Sequence, residues 1–156
     1  MSLSSFLRLS LLAFLGCATP TSAQQPARSP ATAEAPVDRP LVFVANTGLE
    51  DAQTLSSVFR HAKAAADTGR LREVVVLVYG RAIAAFDGES SRRPPELLER
   101  IRDARDAGVR ILLCANALAS SGIARESVDP APTEIVPHAI GTLVEYVARG
   151  AAVIRY

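Results

Sequence analysis

The sequence predicts a single doubly wound α/β domain on a parallel or mostly parallel sheet. Short aliphatic runs alternate with segments of helical periodicity, as in repeated strand–helix–strand units with right-handed crossovers. The runs are rich in Val, Leu, Ile and Ala, and aromatic residues make up only 5% of the chain. Such a composition suits parallel strands buried on both faces. Its 156 residues, 49% hydrophobic and 21% charged, fit one globular domain.

Two strands and one helix are predicted in the first half of the domain. Residues 41–45 form an apolar run that ends in a polar loop, and residues 73–80 form an unbroken β-branched run expected at the centre of the sheet. Residues 83–86 are a short apolar return before the polar loop 87–94. The helix between the two strands is indicated by apolar residues at helical spacing, namely Leu55, Val58, Phe59, Ala62 and Ala66.

The second half predicts two more helices and three strands. Pro95 begins a helix that Gly108 ends, and residues 109–113 form a strand that delivers Cys114 to its carboxyl end. Residues 117–123 suit one or two helical turns, residues 134–136 a short strand and residues 151–156 a final strand. Before that final strand, Pro137 is predicted to open a helix whose apolar face consists of Ile140, Leu143, Val144 and Val147.

The N-terminal residues are predicted to direct export. Residues 1–23 combine Arg8, a short apolar stretch and small residues before Ala23, which is typical of a signal peptide. Residues 24–40 are rich in Pro and Ala and suit a flexible tether, so the folded domain is expected to span residues 41–156. The expected location is periplasmic or secreted.

Lipid attachment is the alternative outcome of the same export. Residues 13–17 resemble a bacterial lipobox, in which Cys17 would become the lipidated first residue. The apolar run is too short to remain as a transmembrane helix. Soluble export is the favoured interpretation, and an anchor at Cys17 stays open.

Several functional classes lack their signatures in this chain. A net charge of +1 gives no basis for nucleic-acid binding. Dinucleotide-binding, P-loop and α/β-hydrolase motifs are absent, and no Cys or His cluster suits zinc. His61 is interpreted as a solvated helix residue. Arg92 and Arg93 could receive an anion, although two ordinary loop arginines are the favoured interpretation.

Cys114 is the strongest candidate site residue. Cleavage after Ala23 would leave it as the only cysteine, so no intramolecular disulfide could form. Its position, between a buried strand and a polar turn containing Asn116, is where ligands collect in open α/β sheets. Free cysteines also serve as small buried hydrophobes. From the residues alone, a reactive and a buried Cys114 are both open.

The order of these features resembles the DsrE/DsrF-like family. The likeness rests on the Val-rich strand ending at Gly80, on Gly108-Val109, on the turn of residues 114–118, on Gly122-Ile123, and on the final helix–Gly–strand unit. It implies a flavodoxin-like, three-layer fold with a five-stranded sheet and assembly into homo- or hetero-oligomers. It also implies sulfur relay through a persulfide on Cys114. Tyr79 stands where family members often carry His, and its hydroxyl could serve there as a weak hydrogen-bond partner.

Two functional hypotheses follow. In the first, the protein is an exported sulfur carrier: the Cys114 thiolate accepts sulfur, Asn116 helps to orient it, Tyr79 and Gly80 line the site, and a partner thiol receives it. No metal or organic cofactor is expected. In the second, the protein is a non-catalytic oligomeric binding or assembly module in which Cys114 is structural.

Overall fold

The computed structural model describes residues 36–156. The predicted signal peptide, the lipobox cysteine Cys17 and the tether as far as residue 35 lie outside the described residues. Three short 3-10 segments, Leu49–Asp51, Gly80–Phe86 and Arg125–Ser127, accompany the main elements. In chain order these main elements are β1 (Leu41–Ala45), α1 (Ala52–Asp67), β2 (Val74–Val78), α2 (Pro95–Asp106), β3 (Arg110–Cys114), α3 (Ala115–Ser120), β4 (Glu134–Val136), α4 (Ala139–Ala148) and β5 (Ala152–Arg155).

The described residues form one five-stranded sheet in the order β4-β3-β2-β1-β5. All four strand pairings are parallel, which confirms the predicted α/β class. The sequence predicted a parallel or mostly parallel sheet, and the described sheet contains no antiparallel strand. The chain steps outward from β1 to β4, and α4 then carries it back to β5 on the far side of β1. Right-handed crossovers that run in opposite directions place their helices on opposite faces of a sheet. The connection through α4 therefore lies on a face of its own.

The continuous Val-rich run of β2 serves two hydrophobic cores. Alternate side chains of a strand point to opposite faces, so Val74, Val76 and Val78 join one core while Val75 and Leu77 join the other. The first core packs against α1 and α2, and the second packs against α4. Helices α1 and α2 therefore cover one face and α4 covers the other, while the short α3 packs at the end of the sheet through Ala117 and Leu118.

Element boundaries differ from the sequence prediction at turns. The predicted strand 73–80 ends at Val78, because Gly80 adopts a left-handed conformation with φ of +59° and starts the 3-10 segment that contains residues 83–86. Cys114 is the last residue of β3 and not the residue after it. Pro137 does not open α4, which begins at Ala139 after an extended His138.

Helix α4 lies on the sheet in a different rotation from the one predicted. Leu143 packs against the second core as expected, but Ile140, Val144 and Val147 are 57%, 62% and 54% exposed. Tyr146, which was not assigned to the apolar face, is buried in their place. Helical periodicity identifies apolar side chains, but here Tyr146 is drawn inward because its hydroxyl finds hydrogen-bond partners beneath the helix.

Those partners form a polar network at the amino end of the sheet. The Tyr146 hydroxyl donates to Glu73 Oε1 at 2.8 Å, and Arg110 Nη1 donates to the same oxygen at 2.6 Å. Arg110 also reaches the Tyr146 oxygen at 3.1 Å and Glu134 Oε2 at 3.1 Å. The Arg149 guanidinium lies 4.3 Å from the centre of the Tyr146 ring. The network therefore joins the end of α4 to three neighbouring strand starts.

Glu73 is held in its charged form by this network. Burial alone would raise the pKa of Glu73, but hydrogen bonds from Tyr146 and Arg110 and the charges of Arg149 and Arg110 outweigh it, and the pKa is lowered. Burial and the bond to Glu73 raise the pKa of the Tyr146 hydroxyl, so this group stays a donor. The ionised carboxylate and the neutral phenol are the forms that the geometry requires.

We predict that Glu73→Gln lowers the free energy of unfolding at neutral pH by about 1 kcal/mol, since charge-assisted bonds become neutral ones. Because the folded pKa of Glu73 is lowered, its ionic contribution is present above the ordinary value of 4.5 and is lost as pH falls through the folded value. Urea unfolding at neutral pH and at about pH 3 should show the difference between the two proteins shrinking in acid. Glu99→Gln, on the exposed side of α2, is the matched control; an equal loss there would contradict a specific role for Glu73.

Candidate functional site

The carboxyl end of the sheet on the α4 face carries the predicted site residue Cys114. Its side chain lies in the second core and is 6% exposed. Tyr79 follows β2 directly, is half-buried and packs against the same core. Cys114 pairs with Val136 of β4, which places the residues after β4 beside the thiol's end of the sheet. Cys114 and Tyr79 therefore share one face and one edge of the sheet.

Asn116 has a partner that the sequence analysis did not identify. Its side-chain Nδ2 lies 2.8 Å from Nδ1 of His138, the residue that precedes α4. Both side chains are exposed, and they join the first turn of α3 to the start of α4. The amide is thus engaged with the His138 imidazole rather than left free to orient a sulfur atom on its own.

Gly80 contributes conformation to this edge. A Cβ added there would sit 3.8 Å from Asn46, which leaves room for it, but the φ of +59° is unfavourable for residues other than glycine. Gly80 therefore turns the chain away from the sheet directly after Tyr79.

The Asn116–His138 contact selects one tautomer of the imidazole. With Nδ2 donating, His138 Nδ1 must accept, so the proton of the neutral ring is on Nε2. An imidazole fixed in this way presents Nε2–H as a hydrogen-bond donor at the carboxyl edge of the sheet. The sequence carried a usable signal, because His138 closely follows a strand that ends at the same sheet edge as β3.

The remaining sequence candidates lie elsewhere. His61 is exposed on α1, with Nδ1 2.5 Å from the Tyr156 hydroxyl. The Arg93 side chain, 8% exposed, bonds to the carbonyl oxygens of Gly88 and Ser90 and to Asp129, so it joins its own loop to the segment before β4. Within residues 36–156, no three His, Cys, Asp or Glu side chains converge as metal ligands. Across that same range, no helix has the length and apolar character needed to cross a bilayer.

We predict that neutral His138 carries its proton on Nε2 and that Asn116→Ala yields a mixture of both tautomers, because the donor to Nδ1 is removed. Two-bond ¹H–¹⁵N NMR spectra of the imidazole distinguish the two forms. His61 in the same spectra is the internal control and should be unchanged. An Nδ1-protonated His138 in the unaltered protein would contradict the assigned contact.

The sequence matches one protein family, and the fold matches several solved structures. The model of the DsrE/DsrF-like family matches residues 40–156. No curated protein matches the chain in sequence. Among solved structures, the YchN protein of E. coli superposes with a TM-score of 0.61 at 16% identity, covering 77% of this chain and 100% of its own. MTH1491 of Methanobacterium thermoautotrophicum, of unknown function, gives 0.58 at 20% identity, with 77% and 100% covered.

A third structure, BT1422 of Bacteroides thetaiotaomicron, also of unknown function, gives a TM-score of 0.59 at 14% identity and covers 75% of this chain and 94% of its own. At these identities the structural matches establish the fold alone. The family model spans the whole sheet, including both edge strands and the segment that carries Cys114. The chain therefore belongs to the DsrE/DsrF-like family.

Proposed function

We propose that this protein is a sulfur carrier that holds sulfur as a persulfide on Cys114. The observation that carries the proposal is a cysteine at the carboxyl end of an interior strand, followed two residues later by Asn116, which is hydrogen-bonded to His138. Family membership supports a sulfur-relay role on this fold. Nothing in the proposal requires a metal or an organic cofactor.

The proposed uptake step is a sulfur exchange without net oxidation. The Cys114 thiolate attacks the outer sulfur of a donor persulfide, forming one S–S bond while the donor's S–S bond breaks and its thiolate leaves. In the delivery step, the thiolate of a partner attacks the outer sulfur on Cys114 and regenerates the Cys114 thiolate. With Nδ1 of His138 engaged by Asn116, the Nε2–H of the neutral ring is a hydrogen-bond donor that can stabilise a thiolate arriving at or leaving this edge.

Access to the sulfur is limited by its 6% exposure. The donor must approach from the sheet edge, where Asn116 and Gly80 are exposed. We propose further that the chain is exported to the periplasm or secreted, so that the donor and acceptor are thiol-bearing molecules of that compartment. Residues 1–23 support this location by composition, with a lipid anchor at Cys17 as the alternative.

We predict that the Cys17→Ser protein, in which Cys114 is the remaining one of two cysteines, gains one sulfur atom from an organic persulfide in its folded state. Intact mass before and after reductant measures the gain and its loss. The control carries Cys114→Ser as well and should fold but take up nothing. A Cys114 that neither alkylates nor accepts sulfur until urea unfolds the protein would overturn the carrier function. His138→Ala, which removes the Nε2–H donor, should slow uptake without abolishing folding.

A second candidate function, assembly with copies of itself, is favoured by the outer face of α4. The α4 stripe, defined as Ile140, Val144 and Val147, is exposed and contains no charge. Gly141 and Ala148 beside it are small enough for another helix to approach closely. Val153 of β5 is 42% exposed and is paired with Val42 of the second core, so it extends the apolar surface on this face.

We propose that a second copy of this chain covers the stripe. In a dimer with two-fold symmetry, the same surface of both copies forms the interface. The α4 stripe of each copy is then buried against the α4 stripe of the other. Ten residues of helix rise about 15 Å. Together with the flank of β5, that strip provides several hundred Å² per copy, which is of the order that small specific interfaces bury.

We predict that Val144→Glu converts the dimer to a monomer, because a carboxylate would be buried against its own symmetry mate. Sedimentation velocity at several protein concentrations measures the change, and thermal unfolding checks that the exposed substitution leaves the fold intact. Gln53→Glu on the outer side of α1 adds the same charge elsewhere and should leave the assembly unchanged. A monomeric unaltered protein at all concentrations would refute self-assembly through α4.

A further inference from the structure

A cleft at the carboxyl edge of the sheet has a cationic character that neither proposed function uses. Its volume is about 480 Å³. It is formed by segments that follow three neighbouring strands: the 3-10 turn after β1, the 3-10 segment after β2, and Ser121 at the end of α3 after β3. Arg92 completes the lining from the loop before α2. This is the position at which open α/β sheets receive ligands.

The cleft already contains one anionic group, which is a side-chain carboxylate of the protein itself. The Glu50 carboxylate accepts from Arg81 Nη1 at 2.7 Å and from the backbone N–H of Gly48 at 3.2 Å. Both donors reach the same carboxylate oxygen, Oε1. Guanidinium groups and backbone N–H groups are the donors that proteins use to bind carboxylates and oxyanions. Gly48 makes the arrangement possible, since a Cβ there would lie 2.9 Å from Arg81 Cβ and closer still to the Glu50 carboxylate.

Arg92 leaves this cleft with one cation in excess. Its backbone N–H bonds to Ser90, but within the described part of the chain its guanidinium has no carboxylate partner. The neighbouring Arg93 is fully engaged with its own loop and with Asp129, so the two adjacent arginines have different roles. Two guanidinium groups and one movable carboxylate therefore line the same open space.

We propose that this cleft binds a compact oxyanion, a sulfur or phosphorus oxyanion, between Arg81 and Arg92, and that Glu50 competes for the site as a tethered substitute. An incoming anion with three or four oxygens satisfies both guanidinium groups, whereas the Glu50 carboxylate reaches Arg81 and Gly48. The exposed Glu50 side chain can swing outward at little cost because its pair with Arg81 is itself solvent-exposed. The site does not depend on chemistry at Cys114, which lies in the core on the α4 face.

The test is a ¹H–¹⁵N NMR titration of the protein with sodium thiosulfate, sulfate and phosphate in parallel at constant ionic strength. Saturable shifts are expected at the amides of Gly48 and Arg81. Glu50→Gln should tighten binding and Arg92→Gln should weaken it, each by about fivefold. Arg102→Gln, an exposed arginine on α2, removes the same charge away from the cleft and should have no effect.

The relative affinities of the three salts identify which oxyanion the cleft prefers. Absence of saturable shifts with all three would overturn the proposal. Equal weakening by Arg92→Gln and Arg102→Gln would overturn it too, because the effect would then reflect net charge alone. Unchanged or weaker binding in Glu50→Gln would remove the competing role of that carboxylate and with it the proposed site. Sulfur uptake by Cys114 is a separate measurement, so the failure of either proposal is visible independently.

Discussion

The contact of Tyr146 with Glu73 and Arg110 determines how one whole face of the sheet is covered. Helix α4 supplies most of the described helical cover on that face, and its carboxyl-terminal end is joined to the strand starts by these charge-assisted bonds. Its other end is joined to α3 through His138 and Asn116. Because hydrogen bonds hold both of its ends, α4 keeps His138 at the carboxyl edge of the sheet and leaves the α4 stripe facing outward.

This arrangement explains why Cys114 is both shielded and well placed. The thiol belongs to the thinner of the two cores, which one short helix covers, and not to the core beneath α1 and α2. Local opening free energies are smallest where few apolar contacts hold an element. A thiol under α4 can therefore be shielded from water in the folded state and still be reached when the start of that helix moves away locally. Exposing a residue of the first core would require displacing α1 or α2, which disrupts more of the structure.

Much of the fold could be predicted from the sequence because buried parallel strands appear in it as continuous aliphatic runs. The run in β2 and the position of Cys114 at the carboxyl end of β3 follow from such patterns. The rotation of α4 could not be read, because its residues are apolar on two sides and the choice depends on polar partners distant in sequence, such as Glu73. The Asn116–His138 contact joins residues 22 apart and depends on the pairing of Cys114 with Val136, which no local pattern encodes.

The edges of the sheet have a further consequence. β4 has three residues and β5 has four, and each carries a charged residue at one end, Glu134 and Arg155. Short edge strands with charged side chains are poor templates for hydrogen-bonding another chain. Strand-to-strand growth into extended sheets is therefore disfavoured at both borders, and an oligomer built through a helix face would close on itself rather than propagate as a fibre.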